Sequence, residues 1–577
     1  MERKVLTKAL LALGQWGWLL LSPMRQNPVA AQVPPQIPPP PLDTPPDSPL
    51  PEELLPTLPP LDELLSPDGP PPPEDGLGER EATFYVADIQ VIGSTVFDET
   101  DLADLLDPYR NRQVSFNELL QLRADITERY VSAGYVTSGA LLPPQTAVDS
   151  VFVIEVIEGQ LEDIIISGTH RLAPAYIRSR VGLAAQPPLN VNTLLEGLQR
   201  LQLDPLIETV SADLQAGVRL GTSLLVIEVT EADSLAVNTR LANNRSPNIG
   251  GTQVSVGVDE GNLAGIGDRI TLDYKHTEGS DGVDFSYTLP VSPNNDTVRL
   301  AAGYADSRVI ASEFEVLDIS SDSVYYELGY RRPLVETPTQ VTALGITLSH
   351  QSSQTRLGLN DIGPAPLSPG ADDNGRTRVS AARFSQEWTQ RSQSHVLALR
   401  SQFSVGLDLL DATINSDAPD SRFFSWRGQG QWVKQLGKEN RLFFLRGDIQ
   451  LTPDDLLSQE EFSLGGGQSV RGYRQDALRR DSGAFLSAEL RWPVANVPEL
   501  DGVLQITPFI DAGTAWNHDG SSPGPDTLVG AGIGLLWQQH NNFSARLDWG
   551  IPLVDLDTDG SGWQDSGVYF SLQYQPF

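Results

Sequence analysis

Two short stretches of this chain hold residues whose types and spacing could do chemistry, and that chemistry is the pairing of a guanidinium with a carboxylate. The first runs Gly465-Gly466-Gly467-Gln468-Ser469-Val470-Arg471-Gly472-Tyr473, a lone arginine set among glycines. Glycine admits positive φ and close backbone approach, so this segment can bend back and press against another surface. The second runs Val503 to Gly513, VLQITPFIDAG. Read as a strand, it puts Gln505, Thr507, Phe509, Asp511 and Gly513 on one face and Leu504, Ile506, Pro508, Ile510 and Ala512 on the other. An arginine–carboxylate contact is bidentate and fixed in geometry. By composition alone, however, an arginine at the tip of a glycine-rich loop reads as a solvated turn. The elements that carry the two stretches have to decide.

Composition removes most other chemistry. The chain has no cysteine, so disulfides, thiolate metal sites and thiol nucleophiles are excluded. Six histidines stand singly, without metal-ligand spacing. There is no G-x-x-x-x-G-K-[ST] and no G-x-S-x-G, and we expect no catalytic site, no metal and no cofactor. A formal net charge of −35 over 577 residues argues against a nucleic-acid partner, which needs a basic face to displace counterions.

Taken in order, residues 1–31 read as a signal peptide: Arg3, Lys4 and Lys8, an apolar run from Ala9 to Leu21, and Val29-Ala30-Ala31 at the cleavage position. That run is short for a membrane-spanning helix. Residues 32–80 form an acidic, proline-rich linker with no basic residue from Gln32 to Glu79, expected to be an extended disordered spacer. Residues 81–159 read as β-α-α-β-β: a strand Tyr85 to Ile92, a short helix Asp98 to Leu106 opened by an aspartate cap, and a longer helix from Ser115 with a capping box to Glu118. Gly134 stops that helix, and strands Tyr135 to Leu141 and Val151 to Ile157 follow. Residues 160–232 repeat the order. The openings correspond too, Ile89-Gln90-Val91-Ile92-Gly93-Ser94-Thr95 against Ile164-Ile165-Ile166-Ser167-Gly168-Thr169-His170. A module of this type leaves a sheet edge that can take an extended peptide by main-chain pairing.

From 233 to 577 the pattern is period-2 throughout, with sixteen candidate strands, most of about 9–11 residues, the length that crosses a bilayer when tilted. One face is apolar, as in Leu486/Ala488/Leu490/Trp492 and Val529/Ala531/Ile533/Leu535/Trp537. The other is polar, as in Arg269/Thr271/Asp273/Lys275 and Phe485/Ser487/Glu489/Arg491. Alternation also suits a soluble sandwich. The even strand number, aromatic residues near the ends of the apolar faces and the many charges on the inner faces favour a transmembrane barrel. The fold class expected is therefore tandem α+β modules followed by a 16-stranded antiparallel transmembrane β-barrel. The long connection 452–482 joins the eleventh and twelfth strands. If it folds inward, Arg471 can meet Asp511 on the lumen wall of the thirteenth.

On Val470-Arg471-Gly472-Tyr473, on Phe509-Ile510-Asp511-Ala512-Gly513, and on the neighbouring Ser463-Leu464-Gly465-Gly466 and Ala488-Glu489-Leu490-Arg491-Trp492-Pro493, residues 84 to 577 resemble the outer-membrane two-partner secretion transporters. These form the haemolysin secretion/activation family, built of POTRA modules and a barrel. The resemblance implies POTRA 1 at 81–159 and POTRA 2 at 160–232, both in the periplasm, and a barrel at 233–577 in the cell outer membrane. It implies an unfolded secreted exoprotein as partner, passed through the pore without nucleotide, with Arg471 paired to Asp511. The outer-membrane lipid and the barrel-assembly machinery are further expected partners. Two departures stand out. The place of the family's plug helix is taken by the proline-rich tract, and Gln575-Pro576-Phe577 breaks the phase of the last strand. An outer-membrane protein insertase of the same superfamily, usually with three or more POTRA modules, and a passive porin are the alternative readings.

Overall fold

The computed structural model describes residues 83–577, apart from 147, 417–418, 438–440, 522–523, 541, 557–559, 561 and 577, together with the backbone of β1 (Leu65–Ser66). The leader expected at 1–31, the remainder of the proline-rich tract and Phe577 lie outside the described residues.

The first module contains β2 (Thr83–Val86), β3 (Asp88–Ile92), α1 (Ala103–Leu106), β4 (Arg112–Ser115), α2 (Phe116–Ser132), β5 (Gly139–Leu141) and β6 (Val151–Ile157). The single strand expected over 85–92 is broken at Ala87. There β2 leaves to pair with β4 while β3 pairs in parallel with β6, and Ala87 N–H donates to Ser150 C=O at 2.8 Å. The short helix expected over 98–106 shrinks to α1. Asp98 Oδ1 accepts the N–H groups of Thr100 and Asp101 at 2.8 and 2.9 Å, so the aspartate holds a turn rather than a full helical opening. The capping box forms as the spacing requires, with Ser115 N–H on Glu118 Oε2 at 2.7 Å and Glu118 N–H on Ser115 Oγ at 3.2 Å. α2 then buries Leu119, Leu122, Ile126 and Tyr130, a stripe of helical period, against the sheet.

The second module repeats this plan with β7 (Gln160–Ser167), α3 (Pro174–Ala184), α4 (Val191–Gln202), β8 (Ile207–Ala216) and β9 (Thr222–Glu231). β7 is parallel and β8 antiparallel to β9, as β3 and β5 are to β6. The repeat extends to one structural device. Gly93 and Gly168 turn the chain at φ +80° and +82°, where an added Cβ would lie 2.3 and 2.1 Å from the carbonyl oxygens of Val156 and Val229. Two residues beyond each of those valines a glutamate receives the loop: Glu158 takes the N–H groups of Thr95 and Val96, and Glu231 those of His170, Arg171 and Leu172. Burial pushes both carboxyls up, but these hydrogen bonds outweigh it and hold both below the ordinary carboxylate range. β1 adds to the free edge of this sheet, pairing in parallel with β8 at Ala212 and Asp213, although the tract it belongs to reads as a spacer.

The barrel is closed by sixteen main strands, all antiparallel: β10 (Leu235–Ala242), β11 (Gln253–Gly261), β12 (Arg269–Thr277), β13 (Ser280–Pro290), β14 (Thr297–Arg308), β15 (Ile319–Glu336), β16 (Gln340–Leu357), β18 (Arg376–Arg391), β19 (His395–Leu407), β20 (Phe424–Leu436), β21 (Arg441–Leu451), β24 (Ser482–Val497), β25 (Gly502–Trp516), β26 (Thr527–Gln539), β27 (Phe543–Pro552) and β28 (Val568–Tyr574). A two-residue β17 (Gly363–Pro364) rides on the end of β16. Ring closure is short, from Thr239↔Tyr574 to Ala242↔Ser571. Side chains alternate as the pattern requires. Leu272, Leu300, Leu486, Ile533 and Trp549 point outward and are exposed, whereas Glu489 and Asp511 point inward and are buried. No helix among the described residues is long and apolar enough to cross a membrane. Several strands outrun the expected length: β15 and β16 have 18 residues each and β18 has 16. The polar run Ser349 to Gln354 pairs residue for residue with both neighbours, so these hairpins rise past the apolar band at the rim opposite the modules.

The second module docks under the near rim. Arg171 bonds Glu260 at 2.5 Å and Ser234 at 2.6 Å, Ala173 N–H reaches Gly265 C=O at 2.8 Å, and Arg180 donates to Asn295 at 3.0 Å with its guanidinium 3.4 Å over the Tyr176 ring. Gly168→Ala is expected to cost about 1–3 kcal/mol through its positive φ and the Val229 contact. Limited proteolysis of the full chain should show faster cleavage within 160–232. The contribution of Glu158 and Glu231 is complete at neutral pH and disappears as the pH falls through their lowered pKa values, so the same protease assay should find the modules loosening below the ordinary carboxylate range.

Candidate functional site

The loop between β21 and β24 turns into the lumen because its apolar residues have nowhere else to go. It forms a small hairpin, β22 (Phe462–Leu464) with β23 (Leu478–Arg480). Phe462, Leu464, Val470, Tyr473 and Leu478 bury together with Phe485, Ala515 and Leu528 of the inner wall. That shared cluster supplies the apolar burial that fixes the loop inside.

At its tip Arg471 is 5% exposed. Nε and Nη2 reach Asp511 Oδ2 and Oδ1 at 2.7 and 2.9 Å, and the Arg471 backbone N–H donates to Asp511 Oδ2 at 3.1 Å. Nη1 bonds Glu489 at 2.7 Å, and the guanidinium lies 3.4 Å over the Phe509 ring. Ser487 Oγ steadies Asp511 Oδ1 at 2.6 Å. Glu489 is a hub: it also accepts from Arg546 at 2.5 Å and Arg491 at 3.1 Å, and Arg546 continues to Asp548 at 2.7 Å. Three arginines face three carboxylates, so no charge in the cluster stands unbalanced. Removing one member of such a set leaves a buried orphan at a cost of about 3–5 kcal/mol.

The seat itself is made of glycine. On β26, Gly530, Gly532 and Gly534 face inward at every second position. A Cβ at Gly530 would lie 1.9 Å from Arg471 C=O, and one at Gly532 would lie 2.5 Å from the Phe509 ring. Gly472, at φ +107°, passes so close to β27 that its Cβ would meet Pro552 N at 2.9 Å. Its N–H donates to Tyr569 Oη at 2.9 Å, and that hydroxyl donates to Tyr473 C=O at 2.6 Å. Tyr473 Oη in turn bonds the carbonyls of Val529 and Val554 at 2.8 and 2.9 Å.

All seven residues singled out in the sequence thus come together. Val470, Arg471, Gly472 and Tyr473 form the tip; Phe509 and Asp511 form its wall contacts. Gly513 leaves room for Leu464, whose Cδ2 would be 2.8 Å from a Cβ there. Sequence reasoning placed Glu489 on the lumen face without giving it a role in the site, and did not single out Arg546, Asp548, Tyr569 or the glycine stripe. Their signal was strand phase: Arg546 and Asp548 alternate with the outward Ala545 and Leu547, and the three glycines alternate with Ala531 and Ile533. These contacts fix the loop tip against the inner wall of β24 to β27.

A sixteen-stranded barrel with an arginine-tipped loop seated on its inner wall, preceded by tandem β-α-α-β-β modules, has the architecture of the POTRA-plus-barrel class. Residues 221–536 match the haemolysin secretion/activation proteins ShlB/FhaC/HecB, and residues 84–159 match a POTRA domain of the ShlB type. The chain belongs to the haemolysin secretion/activation family, a family of outer-membrane transporters. It is similar to the outer membrane transporter CdiB of Escherichia coli O6:K15:H31 (strain 536 / UPEC), 25% identical over 505 residues that cover 84% of this chain and 82% of the relative. It is also similar to the hemolysin transporter protein HpmB of Proteus mirabilis, 22% identical over 439 residues, 72% of this chain and 73% of the relative. The solved structure of CdiB from Escherichia coli shares the fold, with a TM-score of 0.64 at 22% identity over 87% of this chain and 92% of that one.

A side chain at Gly530 cannot share space with the loop. Gly530→Val is expected to lift the tip from its seat, so that protease added to intact cells cuts within 465–477 several-fold faster than in the parent chain.

Proposed function

We propose that this chain exports one unfolded secreted exoprotein, received by two POTRA modules on the periplasmic side and passed through the barrel without nucleotide hydrolysis. Its members being secretion transporters, the family supports export as the reaction. On this reading residues 160–232 are a second POTRA module, the leader at 1–31 directs export, and the barrel-assembly machinery inserts the barrel among outer-membrane lipids. The single observation that carries the mechanism is the Arg471–Asp511 contact, which holds the loop inside the conduit at a defined depth. A passive porin needs neither two docked modules nor a charged loop tip seated on a glycine floor. An insertase usually has more modules than the two present among the described residues.

Arg471→Ala and Asp511→Ala are each expected to lower exoprotein in the culture medium by roughly tenfold or more, from the cost of an orphaned buried charge. The barrel should still reach the outer membrane and keep its heat-modifiable mobility. Parent-level secretion by both variants would remove the latch from the mechanism. Deleting the gene separates the alternatives: loss of outer-membrane barrels in general points to an insertase, and altered solute uptake with intact secretion points to a porin.

A further inference from the structure

The inward-folded loop is held in a second place, far from Asp511. Its first limb, 456–461, lies along the inner wall of β18 to β20 near the rim opposite the modules. Leu456 and Leu457 pack there with Val379, Ala381 and Phe423. Asp420 forms a backbone bridge to Leu456, and Gln459 donates to Thr377 Oγ1 at 2.5 Å. A charged contact from this limb to the wall is made by Arg383 on β18, whose Nη2 and Nη1 meet the two carboxylate oxygens of Glu460 at 2.6 and 3.0 Å. Both side chains are largely withdrawn from water, at 15% and 9% exposure.

The surroundings of Arg383 differ from those of Arg471 in one respect. Arg471 is enclosed by Asp511, Glu489 and Phe509, which all belong to the wall it rests on. Arg383 belongs to the wall, and its bonded carboxylate belongs to the loop. A carboxylate of the wall also lies within its electrostatic reach: Glu327 on β15, 7% exposed, interacts with the charges of both Arg383 and Glu460. Glu327 is joined to Arg299 by a contact of 3.3 Å, longer than the Arg383–Glu460 bonds. Register puts the two groups two strands apart across β16, since Ser349 pairs with both Glu327 and Ala381, and Arg383 stands two residues beyond Ala381.

We propose that Arg383 and Glu460 are positioning residues for export: they pin the first limb of the loop across the far rim, and the limb lifts when Arg383 passes from Glu460 to Glu327. The Arg471 cluster stays closed throughout, so the loop pivots on its tip instead of leaving the barrel. Handing a cation from one carboxylate to another avoids an orphaned charge in a partly dehydrated lumen, which is what makes the movement accessible. The inference rests on the export reading above.

The test is single-channel recording of the full chain in planar bilayers, which needs no client. Glu460→Gln removes the anchor's charge while keeping its size. It is expected to raise the open probability about tenfold, the change in population that ~1.4 kcal/mol produces. Glu327→Gln is expected to shorten open periods, because the lifted state loses its acceptor. The chain has no cysteine of its own. Arg383→Cys with Glu460→Cys can therefore be joined by a reducible bifunctional thiol reagent, which should close the channel and stop secretion until reduced. Parent-level open probability in Glu460→Gln, or free secretion by the joined pair, overturns the anchor. Unchanged open periods in Glu327→Gln overturn the hand-over. Failure of cells carrying the parent chain to release any exoprotein, with the channel data as expected, overturns the export reading and leaves the anchor standing.

Discussion

A positive charge taken out of water dominates this molecule. Once Arg471 sits in the lumen, it has to be met by carboxylates. Those carboxylates come from three strands: Glu489 on β24, Asp511 on β25 and Asp548 on β27. Their own mutual repulsion requires Arg491 and Arg546, so the cluster forms as a whole or not at all. Together with the apolar cluster around Val470 and Tyr473, this guanidinium ties the loop to the inward faces of four neighbouring strands and to the bare glycine wall of β26. Replacing it with lysine would keep the charge and lose both the fork onto Asp511 and the flat stacking on Phe509.

The modules show the same economy at smaller scale. In each, a glycine at positive φ brings the turn against a strand carbonyl, and a glutamate beyond that carbonyl collects the turn's N–H groups. Neither glutamate is in the stretch whose sequence repeats visibly. Their equivalence emerges from spatial position, because β6, which Glu158 directly follows, and β9, which ends at Glu231, align through pairing with β3 and β7 rather than through residue identity. The second module is joined to the barrel by Arg171 and Arg180, side chains on the turns and helix facing the near rim.

Much of the barrel was legible because its rule is local: period-2 alternation tells which face of a strand meets lipid, and turn residues mark where strands end. What the rule does not reach is strand length above the membrane. Ser349 to Gln354 has no apolar face, yet it stays paired because β15 and β18 are there to pair with it. The break at Ala87 was hidden for the opposite reason, since Tyr85 to Ile92 reads as one strand while its two sides join different sheets. At the site, Arg471 and Asp511 were readable as opposite charges on a loop tip and a neighbouring lumen face. Glu489 was visible as an inward polar residue and within the Ala488–Pro493 stretch of the resemblance, but neither marks it as the hub of three arginines.

The glycine stripe on β26 has a consequence for how such a chain can vary. Because the tip rests on bare backbone at one end and is gripped by the β22–β23 hairpin at the other, the span between them behaves as a ruler. Its residue count is set by a fixed gap between two rigid surfaces. Loops at the far rim that end in solvent can lengthen at small entropic cost. In this one an added residue has no outlet except to displace Arg471 from its carboxylates. Insertions and deletions between Leu464 and Leu478 should therefore be far rarer among functional relatives than substitutions there.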